Sequence, residues 1–568
     1  MADAFDEMVL AIDVRYFAST VLLEDYKKIA ALIYPKPRYR EFNIPKKSGG
    51  KRAIAAPRKK LKILQQRLLS YLVAKIDPPK ACVHGFVPGR NVVTNASKHS
   101  ERNPRFILNV DLENFFPTIT FYRVRGVFLK RPFNLSYSVA SMLAHLCCHN
   151  GVLAQGSPTS PILSNLVCRK LDNDLSALAR KYRAVYTRYC DDITMSFVAK
   201  MADNLPANIC SFNGEAVNIG DELKAVIAAN GFALNDEKSR LSSSSHRQEI
   251  TGLTVNDFPN VRRQYIDSIR GALHSWEVHG YKLAEARWQE TPYKRIRVSN
   301  TVPKLCFNLK GRLLYLKMVR GGDDEIYGRL ASKFNKLVAI GVVGEVPPCK
   351  PLPIDYSVTT ANGARHAVFV LQAQWFEKNE LIFERQGTAF FVGQGYLLTC
   401  EHVVSNELSS DEKDDAMGEL EQARHTVLIP GGKEYPVELV AVHEHYDVAL
   451  LKFSGDGPEY IRRFKLSQAS ATVGQKSCLL GFPNWSNGRP VTVVNGEVTS
   501  VYSRSATQKL ETSQQIRKGN SGGPLLNAEL EVVGMATDGA TYEKGNNECL
   551  TSGQIRQWLI DIKAEVQL

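Results

Sequence analysis

The amino-acid composition of this chain changes about two thirds of the way along it, and this change limits how the chain can be divided into domains. The segment from Val342 to Arg365 clusters prolines and then small polar residues, which is typical of an extended linker. Residues 1–365 carry 54 Lys and Arg against 32 Asp and Glu, whereas residues 366–568 carry 18 against 26. A chain of 568 residues is also too long for a single core. We therefore expect several domains, basic before the linker and acidic after it.

The charge of the first part indicates the kind of partner it binds. Its excess of basic residues favours a polyanion, above all nucleic acid, although a basic surface that only maintains solubility is the alternative. The 11 cysteines include no CxxC pair, which argues against a disulfide framework or a zinc cluster. The first residues are acidic where a signal peptide is basic, and no apolar run reaches membrane-spanning length. We expect a cytoplasmic protein without a membrane partner.

Two apolar segments of the first part end in carboxylates. FILNVD predicts a buried strand that ends at Asp111, and AVYTRYCDDITMSF predicts a hairpin with Asp191 and Asp192 at its tip. If these strands are neighbours, three carboxylates converge and repel one another unless cations bind. Hard oxygen ligands suit Mg²⁺, and two such ions can assist an in-line displacement at phosphorus. The pattern predicts a magnesium site for nucleotidyl transfer.

The segments NVDLENFFP, AQGSPTSPILSNL and YCDD, in this order, resemble the core motifs of reverse transcriptases. The resemblance implies an α+β right-hand polymerase over residues 1–341, with fingers and palm to about residue 255 and a helical thumb over about 256–341. It implies deoxynucleoside triphosphates as substrates and several nucleotide-binding residues. These are Lys47 and Arg52 in a fingers hairpin, Phe116 as a steric gate against the ribose 2′-OH, Gln155 near the template and nascent pair, and Lys238 near the leaving pyrophosphate.

Two shorter segments make the chain similar to retron reverse transcriptases in particular. NASKH matches a box that precedes the first catalytic Asp, and ITGLTVN resembles a second box after Lys238, with Ile250 where Val is usual. The resemblance covers about residues 1–340 and implies a cognate noncoding RNA that serves as template and primer, with DNA joined to it. For His99, a core histidine held by a backbone carbonyl is the alternative. The candidate RNA-binding residues are Asn95, His99, Arg262, Arg263 and Lys317.

The part beyond residue 365 has short alternating segments such as GTAFFV, YLLTC and VALLKF, punctuated by Gly and Asn, which predict an all-β barrel fold. His402 follows one such strand, Asp447 opens another, and Ser521 lies in GNSGGP, as acyl transfer by a serine requires. Gly519 and Ser521 would supply the oxyanion-hole N–H groups. The order resembles the trypsin and chymotrypsin superfamily, and implies an all-β double-barrel serine protease over residues 366–568 after a linker over 342–365.

The residues that would form the specificity pocket give a weaker prediction. Gln515, six residues before Ser521, would form its floor, so the acidic floor that selects Arg or Lys is missing. Asp538, on the strand expected to form the pocket wall with Thr537 and Gly539, keeps a cation-accepting pocket open as an alternative. We expect a neutral, small or medium side chain at P1 of an unknown protein substrate.

Together these patterns favour a retron polymerase fused to a serine protease effector. The resemblance to retrons further implies a role in anti-phage defence. Three alternatives remain open. The chain could be a defence reverse transcriptase outside the retrons, or a virus-like replicase with a processing protease. It could also be an RNA-binding scaffold whose protease-fold module does not hydrolyse peptides.

Overall fold

The computed structural model describes most of the chain in two compact units. The described residues are 13–45, 50–212, 216–290, 303–341, 345–377, 380–405, 423–429, 433–455, 457–539 and 546–566. The units are Met1–Arg320 and Gly321–Leu568. The sequence predicted a boundary after residue 341, so the division lies earlier than expected. Every helix within the described ranges is too short or too polar to span a bilayer.

The first unit mixes helices and short strands. Its described helices are α1 (Val14–Thr20), α2 (Tyr26–Ile33), α3 (Lys59–Lys75), α4 (Val92–Ser100), α5 (Phe115–Thr118), α6 (Phe121–Leu129), α7 (Tyr137–Cys147), α8 (Ser160–Val167), α9 (Arg169–Lys181), α10 (Asp221–Ala229), α11 (Arg263–His279), α12 (Tyr281–Glu290) and α13 (Leu305–Arg320). Its described strands are β1 (Tyr39–Pro45), β2 (Lys51–Pro57), β3 (Phe106–Leu112), β4 (Cys148–His149), β5 (Val152–Leu153), β6 (Val185–Tyr189), β7 (Asp192–Phe197), β8 (Cys210–Phe212), β9 (Val217–Ile219), β10 (Leu234–Ser243), β11 (Glu249–Ile250) and β12 (Leu253–Thr254).

A four-stranded antiparallel sheet lies at the centre of this unit, in the order β10–β3–β7–β6. Helix α9 belongs to the same core and shows why the sequence packs there. Leu171, Leu175 and Leu178 recur at helical spacing and are all buried. Burying one such side chain contributes about 1.5–3 kcal/mol. The pairing of β3 with β7 and of β7 with β6 shows that the predicted strand at 106–110 and the predicted hairpin around Asp191 are both present, as neighbours in one sheet.

The predicted fingers hairpin and helical thumb are also present. Strands β1 and β2 pair as an antiparallel hairpin, from Tyr39 opposite Pro57 to Pro45 opposite Lys51. Helices α11, α12 and α13 occupy the predicted thumb region. The rings of Trp276 and Tyr281 lie 4.9 Å apart and are buried, so these aromatic side chains contribute to a helical core.

The second unit contains two closed six-stranded barrels. Its described strands are β13 (Val368–Glu377), β14 (Glu380–Gly393), β15 (Tyr396–Thr399), β16 (Arg424–Leu428), β17 (Glu434–His443), β18 (Val448–Phe453), β19 (Lys476–Gly481), β20 (Thr492–Arg504), β21 (Thr507–Thr512), β22 (Pro524–Leu526), β23 (Val532–Asp538) and β24 (Glu548–Thr551). Its described helices are α14 (Glu325–Ala339), α15 (Ala361–Arg365), α16 (Glu401–Val404) and α17 (Ser552–Asp561). The barrels run β13–β14–β15–β18–β17–β16 and β19–β20–β21–β24–β23–β22, which confirms the predicted all-β double-barrel fold.

Helix α14, predicted to end the thumb, instead packs against the segment predicted as a linker. The Tyr327 hydroxyl donates to the Pro353 carbonyl at 2.9 Å. The Asn335 side chain accepts from the Leu352 N–H at 2.7 Å and donates to the Leu352 carbonyl at 3.0 Å. The Ser332 hydroxyl donates at 2.9 Å to the carbonyl of Glu459, which lies along the chain between β18 of the first barrel and β19 of the second. The described part of the Pro-rich segment is thus hydrogen-bonded to α14 at Leu352 and Pro353, and the last residues of the predicted linker, Ala361–Arg365, form helix α15.

Candidate active sites

The palm sheet brings the three predicted carboxylates together. Asp111 on β3 lies directly opposite Asp192 on β7, and Asp191 precedes it in the tight turn from β6. Cys190 in this turn has a φ of 62°, a left-handed conformation that turns the chain sharply between the strands. Oxygen atoms of the three carboxylates lie within 4.8 Å of one another.

The charges of these carboxylates oppose one another. Desolvation and the nearby charges of Asp191 and Asp111 raise the pKa of Asp192 to about 7. Desolvation also raises the pKa of Asp191, and the charge of Asp111 adds to this effect, whereas Arg52 and Lys238 oppose it. Three crowded carboxylates, two of which have raised pKa values, fit a divalent cation, because the cation offsets their repulsion.

Two predicted nucleotide-binding cations lie near this site, and a third falls outside the described residues. Strand β10 changes register between Asn235 and Arg240, and within this irregularity the Lys238 Nζ reaches the Asp111 Oδ2 at 2.5 Å. That hydrogen bond raises the pKa of Lys238. Arg52 lies on β2 and is close enough for its charge to act on Asp191. Lys47 lies outside the described residues.

The other two predicted nucleotide-binding residues lie on segments that the fold holds in place. Phe116 is partly buried in the short helix α5, with its ring 5.3 Å from that of Phe115. The Gln155 carbonyl accepts from the Ala55 N–H on β2 at 2.9 Å. Gly156 has a φ of 123°, and a Cβ there would lie 3.0 Å from the Ala55 carbonyl oxygen, so glycine allows this close approach. The QG pair thus packs against the fingers hairpin.

A buried ion pair behind the carboxylates was not predicted. The Arg188 side chain is fully buried and binds Asp172 through Nε at 2.7 Å and a terminal nitrogen at 2.8 Å. It also donates to the Cys190 carbonyl at 2.9 Å and to the Asn165 side chain at 3.1 Å. This network supports the turn that carries Asp191 from behind. The sequence signal was an arginine inside the apolar strand AVYTRY, a position where only a paired charge is stable.

The prediction that Asn95 and His99 contact RNA is wrong, because the structure buries both side chains. Both lie on α4 and are at most 1% exposed. The His99 ring contacts the Ser196 hydroxyl through Nδ1 and the Thr187 hydroxyl through Nε2, each at 2.7 Å. Burial lowers its pKa to about 3, so the ring stays neutral. His99 therefore links α4 to β6 and β7, and the core alternative holds, with hydroxyl groups in place of a backbone carbonyl.

The remaining predicted RNA-binding residues lie at the thumb. Arg262 binds Glu249 with two hydrogen bonds, at 2.8 and 2.7 Å, and its side chain is half exposed. Arg263 is almost fully exposed and lies 3.7 Å from Asp267. Lys317 is partly exposed on α13. A role in RNA binding stays a prediction for all three.

In the second unit, the predicted base and its orienting carboxylate are in contact. His402 lies in α16, and Asp447 has a φ of 53° immediately before β18. The Nδ1 of His402 lies 2.8 Å from Asp447 Oδ2 and 3.0 Å from Oδ1, and the backbone N–H of His402 donates to Oδ1 at 3.0 Å. With Nδ1 held by the carboxylate, Nε2 is the ring nitrogen that can take up a proton.

The environment of His402 makes it a stronger base than an isolated histidine. Desolvation by burial lowers its pKa, but the hydrogen bond and charge of Asp447 and the charge of Glu401 raise it, and Arg385 opposes them. The net effect is a pKa above the ordinary value of His. Asp447 therefore both orients the ring and stabilises its protonated form.

The loop around Ser521 is fixed by Thr388, which the sequence analysis did not single out. The Thr388 N–H donates to the Ser521 carbonyl at 2.8 Å, and its hydroxyl donates to the Gly519 carbonyl at 2.6 Å. Gly519 and Gly522 have φ values of 97° and 84°, which favour glycine. Because Thr388 binds the carbonyls of both predicted oxyanion-hole residues, the orientation of this loop is set from the first barrel.

The residues predicted to form the specificity pocket are in part exposed. The Gln515 Oε1 accepts two hydrogen bonds from Arg517, at 3.1 and 2.8 Å. Asp538 is exposed and accepts from the Gly539 N–H at 2.8 Å. The Thr537 hydroxyl donates to the Glu548 carbonyl at 3.2 Å. The preference for a neutral P1 residue stays a prediction.

Comparison with known families agrees with this division of chemistry. Residues 44–255 match the family model for reverse transcriptase (RNA-dependent DNA polymerase). Residues 387–535 match the model for the trypsin-like peptidase domain. The first match includes the carboxylate cluster, and the second includes His402, Asp447 and Ser521.

Individual relatives are found for both units. The chain is 35% identical to the retron Mx65 reverse transcriptase of Myxococcus xanthus over 52% of its own length and 65% of that relative. It is 33% identical to the retron Ec86 reverse transcriptase of Escherichia coli over 42% of its own length and 69% of that relative. It is 26% identical to the serine protease Do-like HtrA of Lactococcus lactis over 32% of its own length and 43% of that relative. The chain spans less than two thirds of the Mx65 relative. It belongs to the retron reverse transcriptases and carries a trypsin-like peptidase domain after its polymerase unit.

Proposed function

We propose that the first unit is an RNA-directed DNA polymerase that makes RNA-linked single-stranded DNA from a cognate noncoding RNA and deoxynucleoside triphosphates. The observation that carries this proposal is the convergence of Asp111, Asp191 and Asp192 within 4.8 Å, inside a chain related to retron enzymes. Carboxylates crowded in this way are suited to bind a metal ion together with a substrate.

The residues of this site have separate proposed roles. A reverse transcriptase domain implies a divalent metal, which we propose to be Mg²⁺ held by the three aspartates. Bound there, it would activate the attacking hydroxyl and stabilise the leaving pyrophosphate. Lys238, whose raised pKa keeps it protonated, is placed to donate a proton to the leaving group. Lys47 and Arg52 bind the triphosphate, and Gln155 contacts the nascent pair. Phe116 excludes a ribose 2′-OH.

The second unit is proposed to be a serine endopeptidase. His402 takes the proton of the Ser521 hydroxyl as its oxygen attacks the peptide carbonyl, and Asp447 stabilises the imidazolium that forms. The N–H groups of Gly519 and Ser521 stabilise the oxyanion, and His402 then protonates the leaving amine. The hydrogen bonds that His402 donates to Asp447 support this assignment.

The fusion suggests how the two activities are used. We propose that the protease is the effector of an anti-phage system in the cytoplasm, cleaving a protein substrate when the polymerase and its nucleic acid are perturbed. Arg262, Arg263 and Lys317 at the thumb are the remaining candidates for contacts to the noncoding RNA, since their side chains are at least partly exposed.

The first test is to express the chain with its flanking genomic DNA and analyse the nucleic acid that copurifies, before and after RNase treatment. A short discrete DNA joined to RNA, missing in Asp191→Ala, is the expected result. Recovery of RNA alone from an enzyme that extends an added primer would reject the retron reaction in favour of another reverse transcriptase. For the second unit, a fluorophosphonate should label the wild-type chain but not Ser521→Ala.

A further inference from the structure

Cys400 lies behind the catalytic carboxylate of the proposed protease. Its side chain is fully buried, and it precedes helix α16, which carries His402. The Cys400 Sγ, a ring nitrogen of His402 and a carboxylate oxygen of Asp447 lie within 4.8 Å of one another. The sulfur therefore belongs to the same compact group as the proposed base and its orienting carboxylate.

The thiol also contacts the strand that anchors the nucleophile loop. Its Sγ donates to the Ala536 carbonyl on β23 at 3.1 Å. The same carbonyl accepts from the Gly522 N–H at 2.8 Å, and the Ala536 N–H donates to the Gly523 carbonyl at 2.9 Å. Gly522 and Gly523 directly follow Ser521. One buried sulfur thus adjoins the groups that hold both His402 and Ser521.

The chemical state of this thiol suits a structural contact. Burial and the charge of Asp447 raise the pKa of Cys400 well above its ordinary value. The group therefore stays protonated, and it acts as a weak donor with the volume of a sulfur atom.

We propose that Cys400 is a positioning residue of the protease site, whose buried thiol donates to the Ala536 carbonyl and packs beside Asp447, and so keeps His402 aligned with Ser521. This inference rests on the proposed endopeptidase activity. The charged groups that act on His402 are Asp447, Glu401 and Arg385. Replacing Cys400 leaves all three in the chain, so a shift of the His402 titration to lower pH reports a weaker contact with Asp447.

The test compares Cys400→Ala with Cys549→Ala in the full chain. Cys549 is also fully buried and lies opposite Ala536 in the β23–β24 pair, but it belongs to the core of the second barrel. One readout is the rate at which a fluorophosphonate labels Ser521. The other is the pH dependence of His402 modification by diethyl pyrocarbonate, measured by peptide mass spectrometry, which follows the neutral imidazole and needs no active serine.

We expect Cys400→Ala to slow the labelling of Ser521 about tenfold, because catalysis depends steeply on the alignment of base and nucleophile. The His402 titration should move to lower pH, since a loosely held Asp447 stabilises the imidazolium less. Cys400→Ser, which keeps a donor, should recover part of the rate. Cys549→Ala should lower the melting temperature about as much as Cys400→Ala does, but it should leave both the Ser521 labelling rate and the His402 titration unchanged.

Two results would overturn the positioning role. One is an unchanged labelling rate and titration in Cys400→Ala, and the other is a titration that moves to higher pH, which would assign the thiol a purely electrostatic effect on Asp447. If wild-type Ser521 resists labelling, the proposed protease activity fails. The His402 titrations of the two variants then still decide the role of Cys400.

Discussion

The two candidate active sites are built on opposite principles. In the palm, Asp111, Asp191 and Asp192 lie close together, and the pKa values of Asp191 and Asp192 are raised although Lys238 pairs with Asp111, so repulsion within the cluster is only partly compensated by protein groups. In the double barrel, the carboxylate of Asp447 is already compensated by His402. We therefore expect the first site to need a bound cation, whereas the proposed base and its carboxylate in the second site are protein groups already in contact. We therefore expect DNA synthesis to be controlled by the binding of metal and substrate, whereas peptide cleavage must be controlled in another way.

The largest expected effect is that a variant of one active site loses its own activity, peptide cleavage or DNA synthesis, and keeps the other. Ser521→Ala should reduce peptidase activity by about 10⁴-fold or more, because nucleophile and base act as one unit. DNA synthesis by the same preparation should be unchanged. Peptide cleavage and primer extension, measured side by side, check this. A parallel loss of DNA synthesis would show that the two sites are not chemically independent.

Asp191→Asn should have the opposite effect to Ser521→Ala, because it removes DNA synthesis and leaves the protease site intact. Primer extension should fall by about 10³-fold or more, since a metal ligand is lost. Labelling of Ser521 should persist. Without metal the variant should be at least as stable as the wild type, because a repelling charge is removed from the cluster. A melting curve in the presence of EDTA checks stability, and a clear destabilisation would contradict the proposed repulsion.

The electrostatics of the palm also predict a pH dependence of stability. The folded-state pKa of Asp192 is raised to about 7, so the folded protein holds a proton there that the unfolded chain releases at lower pH. The contribution of Asp192 to stability is therefore favourable below its unfolded pKa of about 4 and is lost as the pH rises towards 7. Asp192→Asn should flatten this part of the profile when melting is followed from pH 4 to 8 without metal. An unaltered profile would show that the carboxylate is not strained.

Breaking the buried pair behind the palm should cost stability. Arg188→Ala leaves Asp172 buried without its cation, which typically costs about 3–5 kcal/mol. Arg263→Ala is a matched surface control, since that side chain is almost fully exposed. Chemical denaturation of both variants checks the difference. Equal stability would mean that Tyr186, whose hydroxyl donates to Asp172 at 2.8 Å, compensates the charge.

The smallest predicted effect concerns helix α14. Asn335→Ala removes both hydrogen bonds to Leu352 and should lower the stability of the second unit by about 1–2 kcal/mol. Protection of the amide of Leu352 from hydrogen exchange should fall in parallel, with Lys333→Ala as the comparison on the same helix. Unchanged protection at Leu352 would mean that the helix and the Pro-rich segment are not coupled.

The sequence predicted those parts of both sites that lie on short, continuous motifs. Strand periodicity placed Asp111 and the hairpin at Asp191, and the Gly-rich turn placed Ser521. The missed features all depend on contacts between distant segments, such as Thr388 with the loop at Gly519. The prediction that His99 contacts RNA rests on the resemblance of NASKH to a retron motif, and a short motif does not reveal that its histidine meets the buried hydroxyl groups of Ser196 and Thr187.

The domain boundary was missed for a related reason. Prolines and small residues after Val342 are typical of a linker, and composition alone does not show that such a segment is hydrogen-bonded to a helix before it. Tyr327 is fully buried through that packing, although its helix reads as one more amphipathic segment of the thumb. Only the three-dimensional contacts assign α14 to the second unit.

The most direct test of the contrast between the two sites uses one preparation with and without EDTA. We expect EDTA to abolish primer extension, with recovery when Mg²⁺ is restored, and to leave the rate of fluorophosphonate labelling at Ser521 unchanged. Loss of Ser521 labelling in EDTA, or DNA synthesis that persists in it, would contradict the account of one site completed by metal and another completed by protein groups.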